Sequence, residues 1–254
     1  MSPIAERRSR MNGIIIWSIG AILGSFIALC FQRMSRGESI VWPRSHCESC
    51  GQALTPIELI PIVSYIGLKG KCLSCGKKID RTNWWVEILV SLLFLWTYFV
   101  KGVSIEMVWI GTFICLGVLL SWMDMRYLIL PTHVIRIGFC MAIIELCVWH
   151  GIGKDSLRVL SCALGACLGF SIFLVFHICG EYFCHKEILG VGDVRLMGLI
   201  GIFVGIEGIF QVFIWSGILG IIYGLMLWMK KKESTLFPFG PFLCAGTYLV
   251  MMLY

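Results

Sequence analysis

Long uninterrupted apolar segments, separated by short polar connections, make up most of this chain. Eight such segments are visible, at residues 13–32, 84–100, 104–122, 132–149, 157–179, 194–206, 208–229 and 237–254. Because a helix of about 20 apolar residues crosses the hydrocarbon core of a bilayer, the pattern predicts an all-α, polytopic membrane helix bundle of about eight spans. The sixth segment is short, and Gly205 and Gly208 predict that it forms a tight pair with the seventh.

The composition agrees with a membrane protein. Of the 254 residues, 58% are hydrophobic and only 14% are charged, whereas a soluble domain has about a quarter of its residues charged. The net charge of +6 comes from basic residues in the connections between spans, so we expect membrane lipid as the surroundings and no nucleic-acid partner. The first apolar segment has no clear small-residue cleavage site and is interpreted as a retained span.

The only sizeable polar stretch covers residues 33–83. It divides the chain into a first span (1–32), a loop domain (33–83) and a membrane domain (84–254). If the loop domain faces the cytoplasm, fifteen of the twenty-one lysines and arginines lie on that side. Because basic residues are enriched in cytoplasmic loops, the sequence predicts this orientation.

Two cysteine pairs lie in the loop domain, within the segments CESCG and CLSCG. They are Cys47 with Cys50 and Cys72 with Cys75. Two C-x-x-C pairs separated by about twenty residues are typical of a four-thiolate zinc site, and such a closed shell predicts a structural metal. The alternative is a pair of redox-active dithiols.

Two aspartates lie at span ends that the topology places on the same side of the membrane. Asp124 lies just after the third segment and Asp193 directly before the sixth. Acidic residues at this depth are costly and indicate function. If their carboxyl groups lie close together, one holds a proton while the other is charged, and together they can activate water for amide hydrolysis.

Two other interpretations of the aspartates stay open at this point. Asp124 could form an ion pair with Arg126, and Asp193 with Arg195, as ordinary interfacial charges. The two acids could also relay protons in a proton-coupled membrane carrier. On the hydrolytic interpretation, Gly190 and Gly192 form a loop that lets an extended substrate backbone approach Asp193.

The chain as a whole resembles the type IV prepilin peptidases, which are intramembrane aspartic proteases with a G-x-G-D signature. The resemblance is carried by GSFIALCFQR, SHCESCG, ELIPIVSYIGLKGKCLSCG, VEILV, MDMRYLILP, EILGVGDVRL and FPFGPFL, in that order.

The resemblance implies a two-function enzyme of the bacterial cytoplasmic membrane. It would cut the basic leader from prepilins or pseudopilins on the cytoplasmic side, with Asp124 and Asp193 as the catalytic pair. It would also methylate the new N-terminus with S-adenosylmethionine, and the four cysteines would hold zinc in the loop associated with that step. The sequence has no G-x-G-x-x-G element, so no Rossmann site for the methyl donor is expected.

Three positions depart from the family pattern. Arg195 stands where the family usually has lysine, Thr132 where aspartate or asparagine is common, and NWWVE replaces the usual tyrosine and proline before valine and glutamate. Among the remaining acidic residues, Glu58 and Glu87 are candidates to contact a cofactor amine or the incoming N-terminus, or else ordinary interfacial charges. Glu187 is a candidate for orienting the loop before Asp193.

Overall fold

In a computed structural model of the protein, the structure describes residues 3–47, 49–151, 156–184, 189–229 and 237–253. The helices in these ranges are α1 (Pro3–Ser35), α2 (Val63–Gly67), α3 (Arg81–Lys101), α4 (Ile105–Tyr127), α5 (Thr132–Gly151), α6 (Ser156–Cys184), α7 (Val191–Met229) and α8 (Gly240–Leu253). Glu187 lies outside the described residues.

All of these helices except the short α2 correspond to apolar segments of the sequence. Among the described residues, six helices are long and apolar enough to cross a membrane. They are α1 and α3 to α7, and α8 is a shorter apolar helix of 14 residues. Helix α7 accounts for both the sixth and the seventh predicted segments. The all-α, multi-pass architecture predicted from the sequence is therefore confirmed.

Helix α7 is interrupted at Gly205, the position at which the sequence predicts a change of segment. This residue has φ 69° and ψ −179°, a conformation that only glycine adopts readily. The break frees backbone groups that water cannot reach inside a membrane, so protein groups must bond them. The hydroxyl of Ser161 accepts the N–H of Ile206 at 3.2 Å, and the indole of Trp109 donates to the carbonyl of Phe203 at 3.0 Å.

Small residues let α6 approach the first half of α7 at backbone distance. A Cβ atom on Gly165 would lie 2.5 Å from the carbonyl oxygen of Gly201, and one on Gly169 would lie 2.7 Å from that of Met197. Close glycine contacts of this kind are the usual way in which membrane helices associate. They hold the buried segment of α7 that follows Asp193.

The chain divides into two compact units, residues 1–107 and 108–254. In the first unit, Gly20 and Gly24 of α1 pack directly on the backbone of Ser91 and Glu87 of α3. The buried guanidinium of Arg33, at the end of α1, donates to three carbonyls of the following loop. The second unit contains both aspartates. The separate loop domain at 33–83 stays a prediction.

Candidate functional site

Asp124 lies in the last turn of α4, where its side chain is buried with 7% exposure. Its Oδ2 atom accepts the backbone N–H of Gly240 at 2.9 Å. Because Gly240 is the first residue of α8, the carboxylate lies at the positive end of a helix, which stabilises negative charge. A Cβ atom on residue 240 would lie 2.9 Å from the same oxygen, so this contact requires glycine.

Asp193 lies in the first turn of α7, and its N–H bonds to the carbonyl of Gly190 at 3.0 Å. The Oδ1 atom is buried and has no hydrogen-bond partner within the described protein. Buried carboxylate oxygens are nearly always bonded, so an unbonded one is poorly suited to a structural role. It is an acceptor available to a water molecule or a substrate.

The fold brings the two aspartates together. Asp124 and Asp193 are close enough to interact electrostatically with each other, and both also interact with the buried thiol of Cys244 in α8. On the alternative interpretation Arg195 would form an ion pair with Asp193, but in the structure Arg195 donates to Thr132. Two neighbouring carboxyl groups are what the hydrolytic interpretation requires.

The two glycines predicted to form the substrate loop have different surroundings. Gly190 is exposed, and a Cβ atom there would make only an ordinary contact of 3.6 Å with Oδ2 of Asp193. At Gly192 a Cβ atom would lie 2.9 Å from Cβ of Leu130, so packing alone explains this glycine. Their role in binding substrate stays a prediction.

Two of the three departures from the family pattern meet in space. Nη1 of Arg195, two residues after Asp193, donates to the hydroxyl of Thr132 at 2.6 Å. Thr132 is the first residue of α5 and follows the connection that leaves Asp124. Together with the contact between Gly192 and Leu130, this bond joins the segments that carry the two aspartates. The sequence alone does not indicate this contact, because the two residues are 63 positions apart.

The four loop cysteines form a compact cluster. Their sulfur atoms all lie within 4.8 Å of one another, and the Sγ atoms of Cys47 and Cys75 are 3.8 Å apart. Four Zn–S bonds of about 2.3 Å in a tetrahedron would place the sulfurs about 3.8 Å apart. The cluster can therefore hold a metal ion, and its geometry and its all-thiol donor set fit zinc.

Each cysteine pair and the turn that follows it, residues 47–52 and 72–77, form a knuckle, and the two knuckles have the same backbone hydrogen bonds. The N–H of the first cysteine donates to the carbonyl of the residue five positions later, at 2.9 Å in both knuckles. An antiparallel bridge between the flanking residues closes each knuckle. Gly51 and Gly76, directly after the second cysteine of each pair, have φ values of 72° and 68°, a backbone conformation that glycine adopts readily.

The charges of the cluster also favour a cation. Backbone N–H groups of Ser49 and Cys50 lower the pKa of the Cys47 thiol to about 7. The N–H of Gln52 acts in the same direction on Cys50, but desolvation and the neighbouring thiols raise the pKa of Cys50 to about 11. Closely spaced thiolates repel one another, and a divalent cation between them removes this repulsion.

Glu58 and Glu87, the candidates for contacts with a cofactor, are both engaged within the first unit. Glu58 accepts the N–H and hydroxyl of Thr55 at 2.9 and 3.0 Å, and the N–H of Leu73, next to Cys72, at 3.2 Å. The first two bonds have the spacing of a capping box, a signal that the sequence analysis missed. Oε2 of the buried Glu87 accepts the N–H of Ile62 at 2.7 Å.

These features define the class of the protein. It is a multi-pass membrane protein with two neighbouring aspartates in one unit, of which Asp124 is buried, and a four-cysteine metal-binding geometry in the other.

Comparison with known proteins gives the family. The model of the bacterial peptidase A24 N-terminal domain matches residues 18–100, and that of the type IV leader peptidase family matches residues 110–225. The chain belongs to the type IV leader peptidase family and is an enzyme of the peptidase class.

Similar proteins cover nearly the whole chain. The prepilin leader peptidase/N-methyltransferase of Bacillus subtilis is 29% identical over 94% of this chain and 93% of its own length. The type 4 prepilin-like proteins leader peptide-processing enzyme of Escherichia coli O78:H11 is 28% identical over 92% of this chain and 85% of its own. The prepilin leader peptidase/N-methyltransferase of Vibrio cholerae is 26% identical over 90% and 92%. No solved structure is significantly similar to the chain.

Proposed function

We propose that this protein removes the basic leader peptide from type IV prepilins or pseudopilins and then methylates the new N-terminus. The observation that carries the peptidase half is the pairing of Asp124 with Asp193, whose buried Oδ1 atom is left unbonded. The names of the relatives in Bacillus subtilis and Vibrio cholerae support the substrate class and the methylation.

The two carboxyl groups have unequal surroundings, which suits them to different roles. Asp124 accepts an N–H at the start of α8, so it is suited to carry the negative charge and to act as the base. Asp193 is suited to hold the shared proton, because two adjacent carboxylates do not ionise together easily.

Hydrolysis then needs no covalent intermediate. Asp124 takes a proton from water, the water oxygen attacks the scissile carbonyl carbon, and Asp193 donates its proton to the carbonyl oxygen. In the second step Asp124 gives its proton to the leaving nitrogen as the C–N bond breaks. Asp193 recovers a proton from a hydroxyl of the tetrahedral intermediate, so the dyad returns to its starting state.

We propose that the four cysteines hold zinc, and that the zinc is structural. Cys47, Cys50, Cys72 and Cys75 would supply all four ligands, which leaves no open position for a reacting group. The metal would supply folding free energy to a loop with little apolar core. S-adenosylmethionine would supply the methyl group, and we assign no residue to its binding.

We propose that the protein lies in the bacterial cytoplasmic membrane with the aspartates near the cytoplasmic face. The excess of basic residues on the predicted cytoplasmic side supports this orientation. Inside-out vesicles should process an added prepilin, whereas sealed right-side-out vesicles should not. The opposite result would reverse the orientation.

The peptidase assignment is tested by replacing each aspartate with asparagine. Purified enzyme is mixed with a prepilin-like substrate, and loss of the leader is followed on a gel. Asp124→Asn and Asp193→Asn should each abolish cleavage, because an amide cannot exchange the proton. Glu207→Gln is the matched control, since it makes the same change at an exposed position of α7. Cleavage that survives Asp193→Asn would overturn the dyad and reopen the proton-carrier interpretation.

The methyltransferase half is tested separately by mass spectrometry of the processed substrate. With S-adenosylmethionine present, the mature N-terminus should gain the mass of one methylene group. An unmodified N-terminus under conditions of full cleavage would show that this chain is a peptidase alone.

A further inference from the structure

A stripe of exposed aliphatic side chains runs along one segment of the loop between α1 and α3. Ile57, Ile60, Val63 and Ile66 are 66%, 46%, 57% and 61% exposed. They recur at every third residue through consecutive turns and the short helix α2, and side chains at this spacing share one face. Ile62, between them, is buried.

Two contacts fix α2 beside the beginning of α3. The N–H of Ile62 bonds to Oε2 of Glu87 at 2.7 Å, and the ring of Tyr65 stacks on Trp84 with a centroid separation of 5.4 Å. Trp84 and Glu87 lie in the first two turns of α3, which is one of the candidate membrane spans. At 1.5 Å per residue, Glu87 is about 9 Å along the helix from its first residue.

The level of α2 relative to the bilayer follows from these contacts. The first two turns of a membrane span pass through the interface between lipid headgroups and acyl chains. Because α2 lies against those turns, its exposed face is at the same level. Trp85, which is 57% exposed on α3, adds an aromatic ring of the type enriched at membrane interfaces.

We propose that residues 55–67 form an interfacial segment that lies in the plane of the membrane. The stripe of Ile57, Ile60, Val63 and Ile66 enters the boundary between headgroups and acyl chains, as the apolar face of an interfacial helix does. Lys69 and Lys71, both exposed just after the segment, reach the phosphates of anionic lipids. The partner of this surface is therefore the lipid leaflet itself.

The proposal explains why so much branched aliphatic surface lies outside the membrane-spanning helices. It also gives Glu87 a role, because its hydrogen bond with the N–H of Ile62 holds residues 55–67 at the level of the membrane interface. Ile62 has φ 61°, which is unfavourable for a β-branched residue, and the bond from its N–H to Glu87 helps to hold it in that conformation. The proposal stands independently of the peptidase and methyltransferase activities.

Photo-crosslinking in the full-length protein tests the proposal. Ile66 is replaced by p-benzoylphenylalanine, the protein is reconstituted into vesicles of phosphatidylethanolamine and phosphatidylglycerol, and adducts are identified by mass spectrometry after irradiation. Val63 provides a second position on the stripe if the first variant does not assemble. Gln52, an exposed polar residue on the first cysteine knuckle, is the control.

Phospholipid adducts at Ile66 or Val63, and none at Gln52, are the expected result. Adducts to another part of this chain, to a second copy or to an added prepilin would show that protein covers the stripe and would overturn the proposal. The proposal is also overturned if neither Ile66 nor Val63 gives an adduct, or if Gln52 is labelled by lipid as strongly as these two positions.

Discussion

At the residue scale, the dyad depends on groups that do not react. The N–H of Gly240 fixes one oxygen of Asp124. The bond between Arg195 and Thr132 joins the segment that carries Asp193 to the segment that follows Asp124. Catalysis by positioned groups loses rate when such supports shift by an ångström. Substitutions at these supports should therefore change the cleavage rate without removing a carboxyl group.

Gly240→Ala should lower the rate of cleavage by about a hundred-fold, because the added Cβ displaces the Asp124 carboxyl group. The clash is direct, since the Cβ would lie 2.9 Å from Oδ2. Gly224→Ala is the control, because no atom lies within 4 Å of its Cβ position. Gel-based kinetics measure both variants, and equal rates would contradict the assigned contact.

Thr132→Val should lower the rate of cleavage about five-fold, since losing one hydrogen bond costs about 1 kcal/mol. Thr132→Ser keeps the hydroxyl that accepts from Arg195 and should retain the rate. In a double-mutant cycle with Arg195→Gln, the two effects should be non-additive because the residues share one bond. Strictly additive losses would mean that the bond does not support the site.

At the element scale, glycine contacts set how closely the helices approach. Helix α6 meets α7 backbone to backbone at Gly165 and Gly201, and α1 meets α3 at Gly20 and Gly24. In lipid, helices associate through close packing, because transferring apolar side chains from lipid to protein gives little free energy. The position of the Asp193 turn is therefore set by backbone contacts deeper in the membrane.

Gly201→Ala should destabilise the second unit by about 1–3 kcal/mol, the usual cost of overpacking. The added methyl group would meet the backbone of Gly165 and Ala166, which cannot move aside as a side chain can. Gly217→Ala lies in the same helix with open space around its Cβ position and should be neutral. Thermal unfolding in detergent measures both, and an unchanged midpoint for Gly201→Ala would refute the close contact.

At the scale of the whole molecule, the two candidate centres belong to different compact units. The cysteine cluster lies within residues 1–107 and the aspartate pair within residues 108–254. Loss of the metal should therefore act first on the fold of the unit that contains it. The two proposed activities should respond differently to such a loss.

Cys72→Ser should release the metal and reduce methylation more than cleavage. Cys72 is the buried member of the cluster, so its loss removes a ligand and loosens the second knuckle. Metal content by atomic spectroscopy, leader cleavage and N-terminal mass are measured on the same preparation. Cys30→Ser is the control, since Cys30 is buried in α1 outside the cluster. Equal loss of both activities in Cys72→Ser would mean that the loop is needed for the whole enzyme to fold.

The sequence by itself determined the apolar helices, a change of segment near Gly205, the cysteine pairs and the residues that could carry chemistry. These features follow from local causes, such as runs of apolar residues, cysteines separated by two residues and glycines that permit a positive φ. Loop charges also predicted that both aspartates lie at one side of the membrane, but not that their side chains meet.

Only the tertiary structure decided what surrounds those residues. The bond from Gly240 to Asp124 joins residues 116 apart in the chain, and that from Arg195 to Thr132 joins residues 63 apart. Helix packing creates such contacts, and no local pattern specifies which residues will meet. For the same reason the bond between Ile62 and Glu87 could not be predicted, since the sequence offers Glu87 only as a candidate cofactor contact or an interfacial charge.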